Sequence, residues 1–326
     1  MFFLEALQLI SFIGGLLLAA LLLLLYYVQK SVTTALPMIK RNKLEKYYFN
    51  PNTKLDEAFP SIDDEPSVDL SVIIPAYEEE KRLPSMLTES VCFLEERIKD
   101  GKFTYEIILV SDGSRDGTAK IGHEYSKKLT TEKFRVLNLL ENRGKGGAVR
   151  LGMLSARGRN LLFADADGAT KFSDLEKLEY GMKAFTADWR KDGLVVGSRA
   201  HLESEAVASR SLFRTFLMHG FHLLVWVFTV RSVRDTQCGF KLFTRSTARK
   251  LFHIMHVERW AFDVELLYLA ERLRLPISEI SVNWKEIDGS KLTPFWSWLQ
   301  MGIDLLLIWF RYTTDIWQIP NKRHDN

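Results

Sequence analysis

Asp165 and Asp167 carry the strongest chemical signal in this chain. They stand one residue apart in Asp165-Ala166-Asp167-Gly168, directly after the apolar run Leu161-Leu162-Phe163-Ala164. Such a run predicts a buried strand, and alternation along an extended backbone sends both carboxylates the same way. Ligands bind at the C-terminal edge of open α/β sheets. Two like charges converging there ask for a cation, and hard oxygen donors suit Mg²⁺ or Mn²⁺, which bridge to phosphates. An isolated pair of this kind is also compatible with a plain acidic strand-to-turn junction. The neighbouring loops decide between the two.

Three other loops follow predicted strands. Pro75-Ala76-Tyr77-Glu78 places an aromatic ring and an acid where a base can stack and donate. In Ser111-Asp112-Gly113-Ser114, Asp112 can accept the ring N–H of a uracil, and Gly113 allows close backbone approach. Asn142-Arg143-Gly144-Lys145-Gly146-Gly147-Ala148 opens a helix, so its cations and N-terminal amides favour an anion. Neither standard nucleotide motif is present. Lys145 is not followed by Ser or Thr as a Walker A loop requires, and the turn after the first strand lacks dinucleotide-type glycines.

The elements that must position these loops alternate. Leu70–Pro75, Tyr105–Val110, Phe134–Leu139, Leu161–Ala164 and Leu194–Val196 read as short strands, with helix-period segments such as Leu83–Ile98 and Leu175–Phe185 between them. That order predicts an α/β domain on a mostly parallel central sheet. Ahead of it, no charged residue occurs between Glu5 and Lys30, enough for a helix of about 36 Å against a hydrocarbon core of about 30 Å. An acidic start and no small-x-small cleavage site argue for a retained anchor over a signal peptide. Lys30, Lys40, Arg41, Lys43 and Lys46 follow the span and only Glu5 precedes it, which puts the body in the cytosol. The absence of any N-x-[ST] sequon agrees.

Residues 30–67, broken by Pro37, Pro51, Pro60 and Pro66, read as a linker along the membrane surface. Residues 212–230, with Arg210, Arg214, Arg231 and Arg234 at the ends, read as an interfacial helix. A second span or a core helix remains open for that stretch. Pro294–Tyr312 is similar, with Trp296, Trp298 and Trp309 as interface anchors. His219 and His222 lack a third ligand, and the two cysteines, Cys92 and Cys238, match no zinc or disulfide framework. Such sparse cysteine fits a reducing compartment. A net charge of +3 is too small to imply nucleic acid.

Taken together with Asp165-Ala-Asp167, these loops resemble the glycosyltransferase A fold. More narrowly, the chain resembles the dolichyl-phosphate β-glucosyltransferases almost end to end. The likeness is carried by Asn142–Ala148, Ala164-Asp-Ala-Asp-Gly-Ala-Thr-Lys-Phe172 and Gly197-Ser-Arg-Ala-His-Leu202. In the C-terminal half it is carried by Arg234-Asp-Thr-Gln-Cys-Gly-Phe-Lys-Leu-Phe243, Val257–Leu267 and Gly289-Ser-Lys-Leu292. The resemblance implies transfer of glucose from UDP-glucose to dolichyl phosphate, with Mg²⁺ or Mn²⁺, at the endoplasmic reticulum. It divides the chain into an anchor (1–29), a juxtamembrane linker (30–67), a catalytic domain (68–293) and a C-terminal interfacial helix and tail (294–326). The catalytic domain would comprise a nucleotide-sugar half (68–199) and an acceptor half (200–293). A polyprenyl-phosphate mannosyltransferase using GDP-mannose, and a silent scaffold of the same fold, are the alternatives. The oligomeric state is left open.

The resemblance also implies residue roles. Pro75, Tyr77 and Glu78 would line the uracil pocket with Asp112, and Lys145 and Gly146 would meet the nucleotide. Asp165 would contact ribose or metal, and Asp167 the metal. Related enzymes often place a further polar ligand two positions after the second aspartate; here that position is Ala169. Charge logic assigns the acceptor phosphate to Arg199, Arg210, Arg214, Arg234 and Lys241, with Arg199 favoured as the residue ending the fifth strand. Asp263 sits where many inverting relatives keep a general base. A phosphate monoester, with a second pKa of about 6, is already nucleophilic at neutral pH. Asp263 would then orient glucose, steer the acceptor or cap a helix. Cys238 has no nucleophilic task.

Overall fold

The computed structural model describes residues 2–99, 101, 103–186, 188–202, 220, 228–287 and 294–320. Seven strands form one sheet: β3 (Val68–Ala76), β4 (Tyr105–Asp112), β5 (Phe134–Leu139), β6 (Gly158–Ala164), β7 (Leu194–Ser198), β8 (Phe240–Thr244) and β9 (Ile277–Ser281). Their spatial order is β5-β4-β3-β6-β8-β7-β9. β3, β4, β5 and β6 run parallel, as do β7 and β9, while β8 is antiparallel to both its neighbours. The sheet is therefore mostly parallel, as expected, and β8, from the predicted acceptor half, is inserted between β6 and β7 of the predicted nucleotide-sugar half.

The helices follow from the sequence pattern. α2 (Leu83–Ile98) buries Leu83, Met86, Leu87, Ser90 and Leu94, one stripe at helical spacing. α3 (Thr118–Leu129) and α4 (Lys145–Leu154) follow β4 and β5, and α5 (Leu175–Lys183) ends two residues before the expected Phe185. α4 is nearly all buried, packed between the sheet and the later helices α6 (Arg245–Ile254) and α7 (Phe262–Arg272). Gly146 and Gly152 make that packing possible. A Cβ at Gly146 would lie 2.6 Å from Phe262 Cβ, and one at Gly152 2.5 Å from Ile73 Cγ2.

Two expectations need correcting, and a third lies almost wholly outside the described residues. The stretch 30–67 is more than a linker: it holds a 3₁₀ turn (Leu44–Lys46) and an antiparallel hairpin, β1 (Tyr47–Asn50) with β2 (Leu55–Ala58). Buried Tyr48 fixes this hairpin by packing under the Arg135 guanidinium of β5, 5.1 Å from its ring centroid. Residues 212–230 lie outside the described residues except for Gly220 and 228–230, as do the side chains of Trp296 and Trp298. The C-terminal helix, α8 (Pro294–Thr313), is half core. Leu305, Ile308, Phe310 and Tyr312 are buried, and Ile303, Leu306 and Trp309 face outward.

α1 (Phe2–Val32) contains one segment, Ser11–Val32, long and apolar enough to cross a membrane. Phe12, Ile13, Leu16, Leu17, Leu18, Leu21 and Leu24 are all exposed on it. At about 1.5–3 kcal/mol per large apolar side chain removed from water, this surface favours lipid. Its C-terminal end is fastened to the body. Arg311 donates to Gln29 Oε1 at 2.6 and 2.9 Å, Trp317 Nε1 donates to Thr33 Oγ1 at 2.9 Å, and Gln318 N donates to Ala35 O at 2.9 Å.

Candidate active site

A cleft of about 550 Å³ opens over the C-terminal ends of β3, β4 and β6. Pro75, Tyr77, Asp112, Lys145, Asp165, Asp167, Arg199 and Asp263 all line it, as do Arg82, Gln237, Gly239, Trp260, Trp284 and Met301. Most of the residues singled out in the sequence therefore meet in one place.

The nucleotide end is built on Asp112, the last residue of β4. Its two carboxylate oxygens accept the backbone amides of Arg143, at 2.7 Å, and Gly144, at 3.0 Å. Gly144 turns the chain there with φ of +85°, and a Cβ on it would sit 2.8 Å from Glu258 O. Burial pushes the Asp112 carboxyl up to about 6, and the two amides and the Arg143 charge only partly oppose this. Each oxygen keeps a lone pair for a ligand N–H. Tyr77 is partly exposed at the rim. Glu78 has φ of +53° and is exposed, with its amide bound to Ser114 Oγ, and is not among the cleft-lining residues. Gly146 packs on Phe262 behind the cleft, and Gly144 takes the position expected of it.

The two aspartates follow β6 in different settings. Asp165 takes the Lys145 ammonium at 2.8 and 3.0 Å. Room for its carboxylate comes from Gly239, where a Cβ would lie 1.9 Å from Asp165 Oδ2. Asp167 accepts the Ala169 amide at 3.0 Å, and Arg82 lies 3.8 Å away. Burial, then the Asp165 charge, raises the Asp167 carboxyl above its ordinary value despite Arg82 and Lys145. Each carboxylate thus has one cation beside it, Lys145 on Asp165 and Arg82 near Asp167. Among the described residues no group of three or more His, Cys, Asp or Glu converges to hold a metal. Any cation here would take two protein carboxylates and complete its shell from water or ligand oxygens.

On the opposite wall, Arg199 donates through Nε and Nη2 to Asp235 at 2.7 and 2.8 Å, and its guanidinium lies 5.5 Å from the Trp284 ring centroid. Burial opposes the Arg199 charge, but Asp235 outweighs it and holds the group above its ordinary value. Trp284 is carried there by a short pairing in which Lys171 N and Lys285 N donate to Asn283 O and Ala169 O. Lys241 is fully buried and lies behind Asp263, donating to it and to Cys238 O. It therefore does not reach the cleft as an acceptor-phosphate ligand. Arg234 is exposed outside the cleft, and Arg210 and Arg214 lie outside the described residues. The buried Cys238 thiol is pushed up to about 12 by burial and Asp235, so it stays protonated.

Several site residues carried little signal in the sequence. Arg82 follows an acidic turn and reads as surface charge, yet it is clamped by Glu79 at 2.5 and 2.7 Å and aimed at Asp167. Asp235, Gln237 and Gly239 lie inside one of the motif segments but have no spacing that announces a role. Trp260 and Trp284 are single aromatics in polar loops.

The chain has known relatives. The family model described as Glycosyl transferase family 2 matches residues 71–252. The dolichyl-phosphate beta-glucosyltransferase of Drosophila melanogaster is 65% identical over 290 residues, 89% of each chain. The human protein of that name is 54% identical over 297 residues, 91% of each chain. Among solved structures, glucosyl-3-phosphoglycerate synthase from Mycobacterium tuberculosis, in complex with Mn²⁺, UDP-glucose and phosphoglyceric acid, shares the fold. Its TM-score is 0.51 at 17% identity, over 78% of this chain and 82% of that one. With the family model covering more than half of its length and such relatives matching most of it, the chain belongs to glycosyltransferase family 2 and, within it, to the dolichyl-phosphate β-glucosyltransferases.

Proposed function

We propose that this enzyme moves glucose from UDP-glucose to dolichyl phosphate, giving dolichyl β-glucosyl phosphate at the cytosolic face of the endoplasmic reticulum membrane. The observation that carries the reading is the convergence of a buried base-binding carboxylate, Asp112, with the Asp165–Asp167 pair and Arg199 around one cleft. The names of the relatives support both substrates. α1 supports a lipid acceptor, and α8 extends that support, because Arg311 joins it to the end of α1 while Met301 reaches the cleft.

In this reading the uracil enters beside Pro75 and Tyr77 and donates its ring N–H to Asp112. The diphosphate lies toward Asp165 and Asp167, which both line the cleft and whose hard oxygens suit Mg²⁺ or Mn²⁺. When bound, that ion would neutralise the leaving diphosphate. Lys145, held against Asp165, adds a fixed positive charge where charge grows during bond breaking. Arg199, oriented by Asp235 and Trp284, receives the acceptor phosphate across the cleft. The phosphate oxygen attacks the anomeric carbon in line and UDP leaves from the other side, so the α-linked donor becomes a β-linked product. No protein base is required, because the acceptor is largely dianionic at pH 7. Asp263 works as a buried counter-ion to Lys241 and Lys145.

Donor binding tests this. Titration with UDP-glucose and GDP-mannose in the presence of Mn²⁺ should show preference for UDP-glucose; preference for GDP-mannose would overturn it. The affinity for UDP should also fall as pH drops through about 6. Below that value Asp112 is protonated and its acceptor capacity is reduced; above it the carboxylate is ionised. An affinity flat from pH 5 to 8, on the order of the range in which Asp112 titrates, would remove Asp112 from the base pocket.

A further inference from the structure

We propose that Glu45, on the segment leaving the membrane anchor, is a positioning residue for the nucleotide end of the site. The inference rests on the nucleotide-sugar reading above. It starts from a carboxylate with no obvious reason to be inside. Glu45 lies thirteen residues past the end of α1 in a polar, basic stretch, yet its side chain is fully buried. Its oxygens accept the Asn42 amide at 2.8 Å, the Leu140 amide at 3.2 Å, and Arg143 Nη2 at 2.9 and 3.2 Å. The other terminal nitrogen of Arg143 donates to Lys40 O. Nε of Arg143 is buried with no hydrogen-bond partner among the described residues, and both terminal nitrogens are held by the juxtamembrane segment, which thereby sets the orientation of the guanidinium.

Arg143 has two ends. Its side chain is gripped by Lys40 and Glu45, while its backbone amide, with that of Gly144, holds the Asp112 carboxylate. The next residue, Lys145, reaches Asp165. Glu45 therefore fixes the loop that aims both the base acceptor and the diphosphate-side lysine. Arg41 secures the same segment from its other side, donating to Glu45 O at 2.8 and 3.1 Å and to Ser155 Oγ at 2.8 Å, just beyond α4. Charge-assisted, buried contacts of this kind restrict a loop far more than exposed ones do. The exit from the membrane is in this way part of the donor pocket, whereas on the acceptor side Arg199 is held by Asp235 and by the Trp284 ring.

The experiment uses the full-length protein in detergent with UDP and Mn²⁺. Glu45→Gln should weaken UDP binding roughly fivefold to tenfold, the loss expected when one charge-assisted contact orienting the loop is removed. The KM for UDP-glucose should rise with it, and the KM for dolichyl phosphate should stay within about twofold of wild type. Glu45→Asp, which keeps the charge, should recover part of the loss. Glu57→Gln is the control: Glu57 accepts hydrogen bonds from Tyr48 and Asn50 within the hairpin that follows the Glu45 turn. It should leave UDP binding unchanged. A Glu45→Gln protein that binds UDP as wild type does, or that raises both KM values equally, overturns the proposal. Should Glu45→Gln not fold, hydrogen exchange on wild type decides. UDP should slow exchange at the Asn42 and Leu140 amides, and unchanged exchange at both overturns the proposal. Wild-type protein that itself fails to bind UDP would overturn the nucleotide reading, and this inference with it.

Discussion

Replacing Asp167 with asparagine lowers glucosyl transfer by roughly a hundredfold to a thousandfold, the scale of losing one preorganised electrostatic contributor at a reacting centre. Asparagine keeps an oxygen to accept the Ala169 amide, so the turn after β6 survives and the charge alone is lost. Stability should move the other way. The Asp167 carboxyl is raised in the folded protein by burial and by Asp165. A raised acid disfavours the folded state as pH climbs from the unfolded value through the folded one, so removing its charge relieves the fold at neutral pH. The variant is therefore expected to unfold at a temperature equal to or above that of wild type while losing metal-dependent UDP binding. A thermal scan and a UDP titration on the same preparation check both halves. Loss of activity together with a large drop in stability would mean that Asp167 is mainly structural, and unchanged transfer would remove Asp167 from the reacting centre.

The second large effect falls on stability. Lys241 and Asp263 are both buried and paired, and Asp263 is additionally within the field of Lys145. Lys241→Met leaves Asp263 facing the interior without its nearest cation. Removing one member of a buried pair costs about 3–5 kcal/mol, and for a chain of this size that lowers the melting temperature by roughly 10 °C. The pH dependence has a definite sign. Burial already raises the Asp263 carboxyl, with Lys241 and Lys145 only partly offsetting it. Losing Lys241 raises it further, so the deficit is largest at neutral and higher pH and shrinks as acid protonates Asp263. Lys241→Met combined with Asp263→Leu should recover part of the loss, because the orphaned charge disappears with its partner. A single variant as stable as wild type would contradict the pairing.

These two residues also explain how much of the fold was legible. β3, β4, β5 and β6 run as near-continuous apolar stretches because both faces of the sheet are covered, and they were visible from pattern alone. β8 was not. Phe-Lys-Leu-Phe-Thr carries a charged residue at its second position, which reads as half-exposed, yet Lys241 is buried because Asp263 receives it from a helix 22 residues later. β9 is only half-buried and carries a glutamate and two serines, so it shows neither a continuous apolar run nor clean alternation. The hairpin β1–β2 was hidden by polar composition, since its burial rests on Tyr48 and Asn50 rather than on an aliphatic run.

The site divides in the same way. Asp112, Lys145, Asp165 and Asp167 were readable because each ends a strand, opens a helix or lies in the turn directly after a strand, where backbone geometry fixes direction. Arg82, Asp235 and Glu45 were not readable. Their roles depend on partners 85, 36 and 98 residues away, as the contacts with Asp167, Arg199 and Arg143 show. Charge in a loop looks alike in sequence whether it meets water or a buried partner. Lys241 and Arg234 were read as one set with Arg199, and burial separates them: Arg199 lines the cleft, Lys241 is sealed behind it, and Arg234 faces out.

The central claim is a single displacement of UDP by a lipid phosphate, and one assay addresses it directly. Purified full-length protein in dolichyl-phosphate vesicles with Mg²⁺ is given UDP-glucose or GDP-mannose, each labelled in the sugar, and the lipid product is examined for the anomeric configuration of its sugar. The account predicts labelled lipid from UDP-glucose with a β-linked glucosyl phosphate, little from GDP-mannose, and none without the lipid acceptor. An α-linked product, transfer from GDP-mannose alone, or no lipid-linked sugar from either donor would contradict it.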